Sequence, residues 1–332
     1  MKIQAGIVGV RGYAGQELLK LLSRHPHVLV SYLGSRQIKS PAAFQGLTIH
    51  PFDAKKAASA CELIFLALPH GEAMKLAPSL LKNPDLRIID FSGDFRLRSA
   101  SVFRQAYGFT HTAAPWLAKA AYGLPELYRE EIPGSRLVAN PGCYPTATLL
   151  GLSPLAKNKL LVPGGVIVDA KSGVTGAGRS AKENMMFCEV NEDFRAYKVD
   201  KHQHVPEMEQ ELGNLAGRKI PMTFVPHLAP MNRGLYATIY VTLSKRISER
   251  TLRSLYEQQY KEEPFVRILP EGSWPEVKSV AGSNRCEIGL HLDPSGKKAV
   301  ILSAIDNLGK GAAGQAVQNM NLLLALPETT AL

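Results

Sequence analysis

The run Ile3-Gln4-Ala5-Gly6-Ile7-Val8-Gly9-Val10-Arg11-Gly12-Tyr13-Ala14-Gly15-Gln16 decides the fold. Ile3–Val8 reads as a short buried strand, and Gly9, Gly12 and Gly15 follow at a spacing of three. From Gln16 to Arg24, Leu18, Leu19, Leu21 and Leu22 make one apolar stripe at helical spacing. A strand, a glycine turn and a helix together form a phosphate cradle. The glycines let backbone N–H groups approach a pyrophosphate, and the helix N-terminus adds a favourable dipole. Gly9, Gly12, Tyr13, Ala14 and Gly15 are therefore the candidate nucleotide-binding positions. Their spacing is G-x-x-G-x-x-G rather than G-x-G-x-x-G, and a plain structural turn has the same look.

Outward from this run, Val28–Leu33 reads as a second strand and Leu63–Leu68 as one buried on both faces. Glu72–Lys82 reads as a helix that stops near Asn83-Pro84, and Arg87–Asp90 and Leu137–Ala139 as further strands. Strands alternating with helices predict a doubly wound parallel sheet. Past Leu155 the pattern changes. Val166–Ala170, Tyr236–Leu243, Cys286–Leu292 and Ala299–Ile305 read as strands, several alternating apolar with polar, with a helix at Thr251–Lys261. Gly311–Leu326 is helical again, with Ala316, Met320 and Leu323 recurring along it. The expected architecture is a Rossmann-type α/β domain over 1–145 and 306–332, with an inserted α+β domain carrying a mixed or antiparallel sheet over 146–305. The length of 332 residues suits two domains of roughly 100–200 each.

NAD sites carry an acid at the end of the second strand, where it meets the ribose 2′-hydroxyl. This chain has Gly34-Ser35-Arg36 there, with Lys39 close by and no acid in place. An arginine fork pairs with a 2′-phosphate, so Ser35 and Arg36 point to NADP over NAD. The alternative is an exposed loop arginine.

Thirty-nine basic residues against 29 acids give a formal charge of +10, which favours small anionic partners. The cations are scattered, with no arginine-rich run, which argues against nucleic acid. No apolar stretch approaches the ~20 residues of a membrane span, and the N-terminus enters a strand without a secretory leader. A cytoplasmic protein with reduced thiols is expected. None of Cys61, Cys143, Cys188 and Cys286 forms a C-x-x-C pair, so no metal site of that kind is suggested.

The second informative stretch is Val138-Ala139-Asn140-Pro141-Gly142-Cys143-Tyr144-Pro145-Thr146. A strand ends, a Pro-Gly turn follows, and a helix begins near Pro145. Cys143 is thus placed just before a helix N-terminus. The dipole and free N–H groups there stabilise a thiolate, lowering a thiol pKa by ~1–5 units. A thiolate is the nucleophile that acyl transfer needs. Cys61 adjoins a buried strand, Cys286 lies within one, and Cys188 follows Met185-Met186-Phe187. These three read as packing residues, and the same inert role is the alternative for Cys143.

These stretches, taken together, resemble the N-acetyl-gamma-glutamyl-phosphate reductase family, the arginine-biosynthesis branch of the semialdehyde dehydrogenases. The resemblance rests on the cysteine segment through Gly151 and Pro154, on Gly6–Gly9 with its loop, on Ala67-Leu68-Pro69-His70-Gly71 and on Phe91–Arg96. It continues through Ser172–Arg179, His202-Gln203-His204-Val205-Pro206-Glu207 and Asp306–Gly311, and so covers nearly the whole chain. It implies reduction of N-acetyl-glutamyl 5-phosphate by NADPH to the semialdehyde, with release of phosphate, by a homodimer or homotetramer. It places Pro69 and Gly176 at the cofactor and Asn140 and Ser172 at the substrate.

A histidine titrates near neutrality and suits both removal and return of a proton. The family pattern puts the base at His202, with His204 second and beside the substrate, and Glu207 is able to orient the imidazole. Two surface histidines, or a two-ligand metal pair, are the alternatives. Arg96, Arg179 and Lys182 are the candidate cations for the phosphate and carboxylate of the substrate. Asn307 precedes the returning helix and is placed to reach the nicotinamide amide, while Gly311 and Gly314 serve equally for close packing. Within the same class, aspartyl phosphate and carrier-linked aminoadipyl phosphate are rival substrates. The motifs disfavour the first and separate the second poorly. Outside it, the rival is an NADP-binding regulator with an unreactive Cys143.

Overall fold

Ala5, Ile7 and Val8 are wholly buried, and their strand, Ile3–Val8, lies inside an eight-stranded sheet. The computed structural model describes residues 2–332. Across this sheet the order is Ala42–Phe44, Leu47–Pro51, Val28–Ser35, Ile3–Val8, Leu63–Leu66, Arg87–Asp90, Leu137–Ala139 and Ala121–Tyr122. Every pairing is parallel except the hairpin between the first two. Both faces are covered. Leu18, Leu19 and Leu22 pack with Val317 and Met320 of the last helix in one apolar cluster. Ile64, Leu66, Met74, Leu80 and Phe103 pack in another. Double coverage explains why Leu63–Leu66 is apolar at every position.

The chain forms two compact units, the residues up to Pro141 with Ala312–Leu332, and Gly142–Gly311. The second carries a seven-stranded mixed sheet in the order Arg195–Ala196, Met222–Ala229, Leu161–Gly173, Leu235–Leu243, Lys298–Ile305, Cys286–Leu292, Val266–Ile268. Met222–Ala229 runs parallel to Leu161–Gly173, and Val266–Ile268 parallel to Cys286–Leu292, with the strands between antiparallel. Burial alternates along Met222–Ala229 and Leu235–Leu243, so one face is packed and the other open. The packed face meets the helix Cys143–Lys157, in which every residue from Tyr144 to Ala156 is buried. Gly151 makes that approach possible: a Cβ there would lie 2.8 Å from Ile239 Cδ1.

Several boundaries differ from expectation. The first helix starts at Tyr13, not Gln16, because the glycine turn leads straight into it. The helix expected near Pro145 starts at Cys143, since proline fits anywhere in a first turn. Gly311–Leu326 divides into a wide turn at Gly309–Ala313 and a helix at Gly314–Leu323. Met222–Ala229 escapes the sequence because Pro226 argues against a strand, yet Pro226 pairs with Ala170. Cys61 and Cys286 are buried as expected, but Cys188 is exposed in the short helix Phe187–Val190 and is no packing residue. No described helix is long and apolar enough to cross a membrane.

Candidate active site

Cys143 is the first residue of its helix, with Gly142 as the N-cap and no side-chain cap. The first helical N–H groups have no acceptor inside their own helix, so positive potential collects around the sulfur. Pro145, in the same first turn, has no N–H to offer. Two contacts fix the turn. Gly142 N donates to Glu207 Oε1 at 2.9 Å, and Thr146 N and Oγ1 donate to the Gly142 carbonyl at 2.9 and 3.0 Å. Glu207 is 1% exposed, so this bond lies in a dry setting. Gly311 closes in from the other side, where a Cβ would lie 2.8 Å from Cys143 Cβ. Gly311 is therefore required for close packing against the cysteine.

His202 and His204 are buried at 6% and 8% exposure, which rules out a pair of surface histidines. Their rings meet edge-on at 4.6 Å, and His202 also packs against Tyr144, Tyr197 and Phe224. His204 N donates to His202 Nδ1 at 3.1 Å. An N–H aimed at Nδ1 places the hydrogen of a neutral ring on Nε2. Glu207, expected to orient the imidazole, bonds the turn that carries Cys143 through Oε1. Tyr144 and Tyr197 join through their hydroxyls at 3.1 Å. Burial, and then the neighbouring Tyr197, holds the Tyr144 phenol far above its usual range, and burial pushes Tyr197 up to about 12. Both stay neutral. Nothing in the sequence singles out Tyr197. Tyr144 adjoins the cysteine, and that adjacency was the available signal.

Within the same unit, Ser172 is buried and its Oγ donates to the Gly173 carbonyl at 3.1 Å. Gly176 is exposed, and a Cβ there would meet Ser172 Oγ. Asn307 is committed at both ends of its amide. Its Oδ1 accepts from Gly234 N at 2.7 Å and its Nδ2 donates to Thr175 Oγ1 at 2.9 Å. These bonds tie the Thr175 and Gly234 loops together through Asn307, and leave one N–H and one lone pair of its amide for a nicotinamide contact. Arg179 and Lys182 lie on the exposed side of the segment that follows.

The other unit carries the glycine loop. Gly9 has φ +97°, and a Cβ there would run into the Ala67 carbonyl. A Cβ on Gly15 would lie 2.5 Å from Gly9 O. Gly12, the N-cap of Tyr13–Ser23, has no described atom closer to a built Cβ than Gly9 O at 3.5 Å. Two glycines are thus needed by the fold, whereas a side chain at the third would meet nothing closer than an ordinary contact. Ser35 is buried and Arg36 follows it at the strand end, with no acid at either position. These residues fit a dinucleotide carrying a 2′-phosphate. The Pro69-His70-Gly71 loop is fixed by Asp94, whose carboxylate accepts from Gly71 N at 2.6 Å and Met74 N at 2.9 Å. Arg96 is buried, donating from Nε to the Asn140 carbonyl at 2.8 Å and from Nη2 to the Phe91 carbonyl at 2.7 Å. The Asn140 side chain donates to Ala312 O at 3.0 Å and accepts from Asn319 Nδ2 at 3.0 Å. The structure therefore brings Arg96 and Asn140 together in one unit, and Cys143, His202, His204, Glu207 and Ser172 in the other.

Comparison with known proteins adds an independent line. Residues 4–135 match the family model described as the semialdehyde dehydrogenase NAD binding domain, and residues 143–307 the one described as its dimerisation domain. The chain is 47% identical to the N-acetyl-gamma-glutamyl-phosphate reductase of Desulforamulus reducens, over 99% of this chain and 98% of that one. It is 48% identical to that of Halorhodospira halophila at the same coverage. Among solved structures, aspartate semialdehyde dehydrogenase II of Vibrio cholerae superposes with a TM-score of 0.74 at 18% identity, covering 98% of this chain and 99% of that one. An aspartate semialdehyde dehydrogenase with NADP from Candida albicans does so at 0.69 and 14% identity, with the same coverage. These last two bear on the fold alone.

Proposed function

The chain belongs to the N-acetyl-gamma-glutamyl-phosphate reductases of the semialdehyde dehydrogenase family, and on that premise we propose a mechanism centred on Cys143. The enzyme reduces N-acetyl-L-glutamyl 5-phosphate to N-acetyl-L-glutamate 5-semialdehyde with NADPH and releases phosphate, a step of arginine biosynthesis. The observation that carries the mechanism is a cysteine at the first position of a buried helix, on a turn bonded to a buried carboxylate.

The Cys143 thiolate attacks the acyl carbon. A carbon–sulfur bond forms, the carbon–oxygen bond to phosphate breaks, and phosphate leaves with its electron pair. NADPH, when bound, supplies a hydride. His202, through Nε2–H, stabilises the oxygen of the thioester as negative charge grows on it. Collapse of the resulting thiohemiacetal returns the aldehyde and the thiolate. Glu207 holds Gly142 so that the sulfur stays at the head of its helix. Arg96, Asn140, Ser172, His204 and Arg179 are the candidate substrate contacts. Gly9, Gly12, Tyr13, Ala14, Gly15, Ser35, Arg36, Pro69, Gly176 and Asn307 would hold the cofactor.

We further propose that the enzyme works in the cytoplasm as a homo-oligomer assembled through the 143–307 region. The family model over these residues is described as a dimerisation domain. The region also exposes large apolar side chains, with Phe187 at 76% and Met186 at 60%, which favour a protein partner over water.

The deciding experiment is the reverse reaction. N-acetyl-glutamate 5-semialdehyde, NADP and phosphate should yield NADPH, with arsenate replacing phosphate. Aspartate semialdehyde should be turned over far more slowly. Equal turnover of the two aldehydes would remove the substrate assignment, and NADPH formation in the absence of phosphate and arsenate would remove the acyl-phosphate chemistry.

A further inference from the structure

Glu72 lies between two cations that come from different elements. Arg36, at the end of the second strand, forms an ion pair through Nη1 with Glu72 Oε2. Lys75, on the helix Ala73–Leu80, pairs with Glu72 Oε1 at 2.7 Å. Glu72 is the N-cap of that helix, yet its side chain makes no cap hydrogen bond, because both oxygens are turned to the cations. Lys75 stands in the first turn, where a helix dipole disfavours positive charge, and no acid follows within the turn. One carboxylate therefore balances an arginine, a lysine and the positive end of a helix. The backbone beneath it is fixed, since Gly71 N and Met74 N both bond the buried Asp94.

The geometry points to Glu72 as a place-holder for the 2′-phosphate of NADP, with Lys75 as a second cation of that subsite. The inference rests on the reading of Arg36 as the 2′-phosphate residue and adds the two residues that tune it. A phosphate monoester carries about −1.5 to −2 charges at neutral pH, against one for a carboxylate. It takes over the Arg36–Lys75 gap and displaces the Glu72 carboxylate toward solvent, where that side chain is already 28% exposed. A cofactor without the 2′-phosphate leaves the ion pairs intact and gains nothing from them. Glu72 thus sets the strength of NADP binding, by competing with it, and leaves NAD binding unaltered.

The test is calorimetric titration of the full-length protein with 2′,5′-ADP and 5′-ADP, in wild type, Glu72→Gln, Lys75→Ala and Arg36→Ala. Melting curves would establish that each variant is folded. Glu72→Gln should tighten 2′,5′-ADP roughly three- to fivefold, and Lys75→Ala should weaken it by a similar factor. Both should leave 5′-ADP within about twofold of wild type, and both effects should shrink as salt is raised. If Arg36→Ala weakens 2′,5′-ADP while Glu72→Gln leaves it unchanged or weaker, Glu72 is an orienting residue and the inference fails alone. If Lys75→Ala has no effect, the second cation is lost from the subsite. If Arg36→Ala itself has no effect on 2′,5′-ADP, the underlying assignment of Arg36 falls, and with it the inference.

Discussion

Gly12 and Gly142 precede their helices with nearly the same backbone, φ −71° and ψ 160° at one, φ −69° and ψ 154° at the other. Neither helix has a side-chain cap, and both begin where a parallel strand has just ended. The two starts are nevertheless built for different chemistry. At Gly12 the cap N–H turns back to Gly9 O at 3.1 Å, and a Cβ on Gly12 would meet only that carbonyl at 3.5 Å. At Gly142 the cap N–H is held by a buried carboxylate, and the next side chain is a thiol. A helix dipole contributes at most about 2 kcal/mol at either place. The dipole therefore does not decide between a phosphate cradle and a nucleophile mount. The residue at the first helical position, and the partner that holds the cap, do.

Four changes would break or sharpen this contrast. The largest effect belongs to Cys143→Ser. Turnover in the phosphate-dependent assay should fall by at least about a thousandfold, since serine at the same helix start stays protonated. Retained turnover would mean that the second start is no nucleophile mount. Next is Glu207→Ala, which leaves the buried Gly142 N–H without its acceptor and should cost about 1–3 kcal/mol in denaturant unfolding. Glu207→Gln keeps an acceptor oxygen and should cost visibly less; equal losses would show that the bond to Gly142 is not what matters.

Gly12→Ala tests the first start. The backbone accepts alanine and its Cβ would make only an ordinary contact, so the melting temperature should hold within about a degree or two while NADPH affinity falls roughly tenfold. Unchanged affinity would leave Gly12 without a role.

The smallest effect concerns Asp90, behind the loop of the first unit. Burial, and then the neighbouring Asp94, pushes its carboxyl up to about 7. Unfolded, it ionises near about 3.9. Between these values the folded protein keeps a proton that the unfolded chain has lost. This contribution to stability is therefore full below about pH 4 and is lost as pH rises to about 7. Asp90→Asn should flatten the melting temperature across that interval by a few degrees; an identical slope would place the titration elsewhere.

The contrast between the two starts also explains what the sequence makes legible. The Tyr13–Ser23 helix buries one face, so Leu18, Leu19, Leu21 and Leu22 announce it. The Cys143–Lys157 helix is buried all round and has no stripe, so only its Pro-Gly turn betrays it. Cys143, His202 and Glu207 each sit in a short motif with its own chemistry, which is why the sequence offers them as candidates. The link between Glu207 and Gly142 spans 65 residues, and no local pattern records it. Tyr197, Glu72 and the commitment of Asn307 to two loops are of the same kind, set by tertiary contacts alone. Cys188 misled because apolar neighbours in sequence were read as burial, whereas Met186 and Phe187 are themselves exposed.

The all-round burial from Tyr144 to Ala156 has a kinetic consequence. Amide hydrogens in the body of that helix have no shallow route to solvent, so they should exchange with deuterium only when the whole unit opens. Cys143 thus heads the element expected to exchange slowest in its unit, while the exposed stretch around Met186 and Phe187 should exchange first. The mount of the proposed nucleophile should then keep its place while such exposed stretches open and close.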